Sequence, residues 1–111
     1  MLAYTIVGQN KNIYEAEVDA ICELVDFLRF NVAYADTIMN KQPIQTGNIK
    51  NISEYNSLNG FVASITPFNF TAIGGNLATA PLLFGNSVLW KPSDNAILSN
   101  HLFYEIMLEA G

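Results

Sequence analysis

Gly60-Phe61-Val62-Ala63-Ser64-Ile65-Thr66-Pro67 and Ser87-Val88-Leu89-Trp90-Lys91-Pro92 are two short apolar runs, each closed by a proline. Their reading decides the fold. Both are rich in β-branched and aromatic residues, and each ends where proline removes a ladder donor, so each reads as a buried strand. Between them, Thr71 to Phe84 carries small and apolar residues at helical spacing. Gly74-Gly75 would let that helix approach a sheet closely. Pro81 is expected to kink it or to open a short second helix, and Gly85-Asn86 to end it. A crossover of this length with a helix in it permits parallel strands and points to a right-handed βαβ unit. Pro92-Ser93-Asp94 then leads to a last helix, expected over roughly 96–109, with Ser93 or Asp94 as its cap.

The preceding half is helical. Residues 1–10 run from apolar to polar, with Gly8 and Asn10 as turn formers. Asn12 with Glu15 three positions on forms a capping-box pattern. Tyr14, Val18, Ile21, Val25, Leu28 and Val32 recur at spacings of four and three, one apolar stripe of a long helix over roughly 13–39. Leu24 and Phe27 widen the stripe, and Glu15, Glu17 and Asp19 suit the helix's positive end. Such a helix needs a partner surface, and little else within 1–54 supplies one. Pro43 and Gly47 mark a connection, and 48–58 reads as an edge strand or a loop. The chain divides into a helical lead-in, 1–54, and a strand-helix-strand-helix segment, 55–111.

Composition bounds the function. With 111 residues, 50% apolar and 14% charged, the chain is one folded unit rather than a disordered segment, and a compact chain of this size is expected to bury about two-thirds of its unfolded surface. A net charge of -5 argues against a nucleic-acid groove, which needs a basic face. One cysteine makes no internal disulfide, and no Cys/His cluster suggests zinc. Eleven of the fifteen charged residues lie within 1–54, and the 36 residues from Tyr55 to Trp90 hold none. Pro67, Gly74, Gly75, Pro81 and Gly85 interrupt that run too often for a membrane span. It reads instead as a segment buried on both sides, the middle of something larger. No basic and apolar leader opens the chain, so no signal peptide is expected.

In open parallel sheets, ligands sit outside the carboxyl ends of the strands. Those ends are Thr66-Pro67-Phe68-Asn69 and Lys91-Pro92-Ser93-Asp94. If the strands are neighbours, both tetrapeptides face one crevice, and polar groups appear where the apolar runs stop. A nucleotide or small-molecule site is expected there. Neither a G-x-G-x-x-G nor a Walker A pattern supports it.

Thr66-Pro67-Phe68-Asn69-Phe70, then Gly85-Asn86-Ser87-Val88-Leu89-Trp90-Lys91-Pro92-Ser93-Asp94, then Glu109-Ala110-Gly111 resemble, in order and spacing, the P-W-N-F, G-N-x-V-V-x-K-P-S-E and E-A-G pattern of the aldehyde dehydrogenase superfamily. Phe68 stands for the usual Trp and Asp94 for the usual Glu. With Phe70-Thr71-Ala72-Ile73-Gly74-Gly75-Asn76-Leu77, Gly8-Gln9-Asn10-Lys11 and the run from Ala16 to Asn31, they resemble its 1-pyrroline-5-carboxylate dehydrogenase branch. The resemblance implies an α/β fold in which a long N-terminal helix precedes the βαβ portion of a Rossmann-like NAD-binding domain. It implies oxidation of L-glutamate γ-semialdehyde to L-glutamate with NAD, in proline breakdown. The parent enzyme would be a homo-oligomer with no nucleic-acid or membrane partner, in the mitochondrial matrix of a eukaryote or the cytoplasm of a bacterium.

Carried over residue by residue, the resemblance makes Asn69 the oxyanion-hole donor, whose carboxamide N–H meets charge developing on a thiohemiacetal oxygen. By residue type, Asn69 is equally a turn former after a proline. Lys91 matches the lysine that bonds the adenosine ribose of NAD, and by type is also a solvated strand-end charge. Thr66, Pro67, Phe68 and Asp94 match cofactor-contacting positions. Thr66 is by type a strand residue, and Asp94 a helix cap. The family's cysteine nucleophile and glutamate base match nothing here. Cys22 sits between Ile21 and Glu23 on an amphipathic helix, as a small hydrophobe would, and His101 has no acid or hydroxyl arranged around it. The chain therefore reads as a fragment, inactive in isolation. The other reading is a non-catalytic binding or interaction module derived from a truncated aldehyde dehydrogenase.

Overall fold

The computed structural model describes residues 1–111 and forms both strands where the proline-closed runs stand. β1 (Phe61–Ile65) and β2 (Ser87–Lys91) pair in parallel, Phe61 opposite Ser87 and Ile65 opposite Lys91. The crossover holds α4 (Thr71–Thr79) and a 3₁₀ turn (Ala80–Phe84) that carries Pro81 at its start and stops at Gly85 in the left-handed conformation. A second 3₁₀ turn, Asp94–Ala96, feeds α5 (Ile97–Ala110). The expected βαβ unit and the last helix are thus present.

Upstream lie α1 (Leu2–Gln9), α2 (Ile13–Glu17), a π-helical turn (Val18–Glu23) and α3 (Leu24–Asn40). Of the two turn formers expected within residues 1–10, only Asn10 ends an element. Gly8 lies inside α1, where an added Cβ would stand 3.2 Å from that of Leu98, and Asn10 (φ 54°) closes the helix. The Asn12–Glu15 capping box forms, with Glu15 N donating to Asn12 Oδ1 at 3.0 Å and Asn12 N to Glu15 Oε2 at 2.9 Å. Residues 48–58 form a loop, not an edge strand, tied by Gln42 to Ser53 and Gln45 to Asn51.

The long helix spans its expected length but buries a different face. Tyr14, Val18 and Val32 are exposed, and Ile21 and Val25 less so. The covered side is Ala16, Asp19, Ala20, Leu24 and Ala35, with Phe27 and Leu28 partly buried. α4 approaches this covered side closely, through its glycines. At Gly75 an added Cβ would lie 2.6 Å from Leu24 Cδ1 and 2.9 Å from Phe103 Cε1; at Gly74 it would meet the buried Asn100 carboxamide at 2.5 Å. The core of Leu24, Ala72 and Phe103 gathers here, with Trp90 edge-on to Phe103 at 6.3 Å. Gly75→Ala in the full-length protein is expected to destabilise it by about 1–3 kcal/mol through overpacking. Urea unfolding reads this as a lower midpoint, and an unchanged midpoint would mean that the three helices separate freely.

α1 docks through polar atoms. Thr5, Thr71 and Ser99 are fully buried; Thr71 Oγ1 lies 3.1 Å from Thr5 Oγ1 and 3.0 Å from Ser99 Oγ, and Gln9 Nε2 donates to both Thr71 and Ser99.

The sheet is covered on one side only. Val62, Ser64, Val88 and Trp90 turn to the helices, while Phe61, Ile65 and Leu89 stay exposed. The uncharged segment is therefore not buried on both faces, because two strands and one helical layer leave the second face without a cover. The chain exposes 7713 Å², where a compact chain of its mass exposes about 6,000 Å². Its radius of gyration is 17.3 Å against about 13 Å for a compact domain. No helix is long and apolar enough to cross a membrane.

Candidate functional site

The carboxyl ends of β1 and β2 lie side by side, as a shared crevice requires. Thr66 N donates to Lys91 O at 3.1 Å and carries the parallel ladder one step past β1. Strand alternation then separates the two side chains. Thr66 is buried, and its hydroxyl accepts from Trp90 Nε1 at 3.1 Å on the helix side. It offers the crevice its main chain. Lys91 extends on the open face, 62% exposed, with Nζ 3.6 Å from Asp94 Oδ1. Such an exposed pair adds little to stability and leaves both groups available. Neither Ser93 nor Asp94 caps the last helix through its side chain; Ala96 N donates to Ser93 O instead.

Pro67, Phe68 and Asn69 are exposed and join the end of β1 to α4. Phe70, at the α4 cap position, has no polar side-chain atom with which to satisfy the first-turn amides. Asp19 does so from far away in sequence. Thr71 N donates to its Oδ2 at 2.9 Å and Ala72 N to its Oδ1 at 2.8 Å. Oδ2 also accepts from Lys11 Nζ at 2.6 Å, and that ammonium stands 4.3 Å from the centre of the Phe70 ring. Asp19 is 1% exposed. Sequence reasoning assigned it only to its own helix start. The two partners converge across more than fifty residues, a relation that no local spacing encodes.

The remaining reactive groups stay apart. Cys22 is exposed on the π turn. His101 is exposed and, against expectation, has an acid beside it, Nε2 standing 3.5 Å from Glu105 Oε1 one turn along α5. No three His, Cys, Asp or Glu side chains are placed to share a metal ion.

The aldehyde dehydrogenase family model matches residues 2–111. The human mitochondrial delta-1-pyrroline-5-carboxylate dehydrogenase is 56% identical over 111 residues, covering 100% of this chain and 20% of the relative. A probable delta-1-pyrroline-5-carboxylate dehydrogenase of Schizosaccharomyces pombe is 56% identical over 112 residues, with the same coverage. The crystal structure of the Mycobacterium tuberculosis delta-pyrroline-5-carboxylate dehydrogenase bound with NAD superposes with a TM-score of 0.96 at 52% identity, over 99% of this chain and 21% of that one. The chain thus spans about a fifth of the length of its relatives. Matched by one family model along all but its first residue, and sharing that architecture with a solved member, it belongs to the aldehyde dehydrogenase family.

Proposed function

We propose that these residues are part of an NAD-dependent L-glutamate γ-semialdehyde dehydrogenase, which oxidises the semialdehyde to L-glutamate in proline breakdown. The observation that carries the reading is the meeting of two motif-bearing strand ends. Asn69 stands three residues beyond Thr66, and Thr66 is bonded through its main chain to Lys91. Relatives of 56% identity bear the name of that activity, and one structural neighbour holds NAD.

The groups present suit a dinucleotide. An exposed ammonium and an exposed carboxylate 3.6 Å apart offer a donor and an acceptor, the complement of a ribose diol. NAD, when bound, supplies the hydride acceptor. Lys91 donates to a ribose hydroxyl and Asp94 accepts from one. Pro67 and Phe68 supply apolar surface beside the cofactor, and the Thr66 main chain lies next to them. The Asn69 carboxamide N–H donates to the aldehyde oxygen as negative charge develops there, at a loop whose two ends are fixed. Residues 55–111 then begin the NAD-binding domain and residues 1–54 are its helical lead-in. The whole enzyme works as a homo-oligomer, in mitochondria of a eukaryote or the cytoplasm of a bacterium.

Residues 1–111 alone are expected to have no dehydrogenase activity, because oxyanion stabilisation without a nucleophile and a base does not carry covalent catalysis. The measurement is NAD reduction with glutamate γ-semialdehyde, by the isolated chain and by the full-length protein. Turnover by the isolated chain above a heat-killed control would overturn the division of labour. Failure of the full-length protein to turn over would overturn the substrate.

A further inference from the structure

We propose that Lys11 and Asp19 are a positioning pair, which sets where the Asn69 carboxamide stands by holding the first turn of α4 and the ring of Phe70. The proposal rests on the reading of Asn69 as donor to the aldehyde oxygen. Pro67, Phe68 and Asn69 are strung between two anchors. One is Thr66, bound to Lys91 through the main chain and to Trp90 through its hydroxyl. The other is the Asp19 carboxylate, one oxygen on the amide of Thr71 and the other on that of Ala72.

The second anchor is not local. A helix opened by phenylalanine has no side-chain cap of its own, so the tertiary contact decides where α4 starts. The π turn carries Asp19, turned onto the buried face, and a wide turn of this kind often marks a functional position. Lys11 has a separate task. A bare carboxylate at this helix start would oppose negative charge developing near Asn69, two residues before Thr71. The ammonium 2.6 Å from Oδ2 cancels it, and the same ammonium lies against Phe70, the immediate neighbour of Asn69. An oxyanion donor must stand within a few tenths of an ångström of its place, and a displacement of about 1 Å can cost 10²-fold.

The experiment is a double-mutant cycle in the full-length enzyme. Asp19→Asn, Lys11→Met and Asn69→Ala are made singly, and each of the first two is combined with the third. kcat is measured per titrated active site, beside the Kd for NAD. Asp19→Asn keeps the shape but loses one acceptor, and is expected to lower kcat by about 10- to 100-fold with the NAD Kd unchanged. In the Asn69→Ala background the same change should lower kcat no further, since the group being positioned is gone. Lys11→Met leaves both main-chain bonds of Asp19 in place, so it decides the matter should Asp19→Asn not fold, and it is expected to show the same dependence on background. An unchanged kcat, or an equal loss in both backgrounds, would overturn the positioning role and leave a merely structural pair. If Asn69→Ala alone left kcat unchanged with chemistry rate-limiting, the oxyanion reading itself would fall and this proposal with it. That outcome is distinct from the first, because it appears with Lys11 and Asp19 intact.

Discussion

Asn69→Ala in the full-length enzyme is expected to lower kcat by about 10²–10³, the usual cost of one oxyanion-hole donor, while NAD affinity stays near that of the native protein. The reason for the split is the location of Asn69. It lies in an exposed three-residue bridge beyond β1, and the groups proposed for the ribose stand on a different segment, at the end of β2 and just after it. An interaction realised only as charge develops changes kcat without changing ground-state binding. Steady-state kinetics at saturating NAD, with a burst experiment to establish that chemistry limits turnover, is the measurement. An unaltered kcat under those conditions would remove Asn69 from the mechanism and return it to a turn residue.

Lys91→Ala should do the reverse. A charge-assisted hydrogen bond contributes about 1.5–3 kcal/mol, so its loss should weaken NAD binding by roughly 10- to 100-fold, each 1.4 kcal/mol being a factor of ten. At saturating NAD, kcat should barely move. Lys91→Arg should rescue only in part, because a planar fork replaces a compact ammonium. The competing account, a solvated strand-end lysine paired loosely with Asp94 at 3.6 Å, foresees equal affinities. Calorimetric titration of NAD into both proteins separates the two, and matching dissociation constants would sink the assignment.

What could be read from residues alone follows from range. The strands announced themselves because proline and glycine punctuate them, and a helical crossover between them permits and favours a parallel neighbour. The capping box was legible for the same reason, since Asn12 and Glu15 are three residues apart. The face of the long helix was not. Its larger apolar residues suggested one stripe, but the covered side holds Leu24, which meets Gly75, together with Ala16, Ala20 and Ala35. Hydrophobicity along one segment does not report the shape of its partner. The site divides in the same way. The crevice at the strand ends was expected from topology, and the bonded Thr66–Lys91 backbone is consistent with it. The opposite facing of those two side chains follows from strand parity, which the alternation of Ser64, Thr66 and Trp90 with Ile65 and Lys91 contains once the register is known. Asp19 carried no signal, because its partners lie on another helix's first turn.

The hydroxyls of Thr5, Thr71 and Ser99 at the α1 docking seam have a consequence for which arrangement the helices adopt. Apolar contacts grade smoothly, and a helix held by them alone could slip along its neighbours at modest cost. Three fully buried hydroxyls and the Gln9 Nε2 donor meet one another only at a single setting of α1 against α4 and α5. A shift of one turn would strand them away from water, at about 1–3 kcal/mol for each group left unpaired. The seam therefore adds little attraction and much discrimination. It works as a key that rejects neighbouring alignments, and so transmits a single geometry from α1 to Thr71, the residue with which α4 begins.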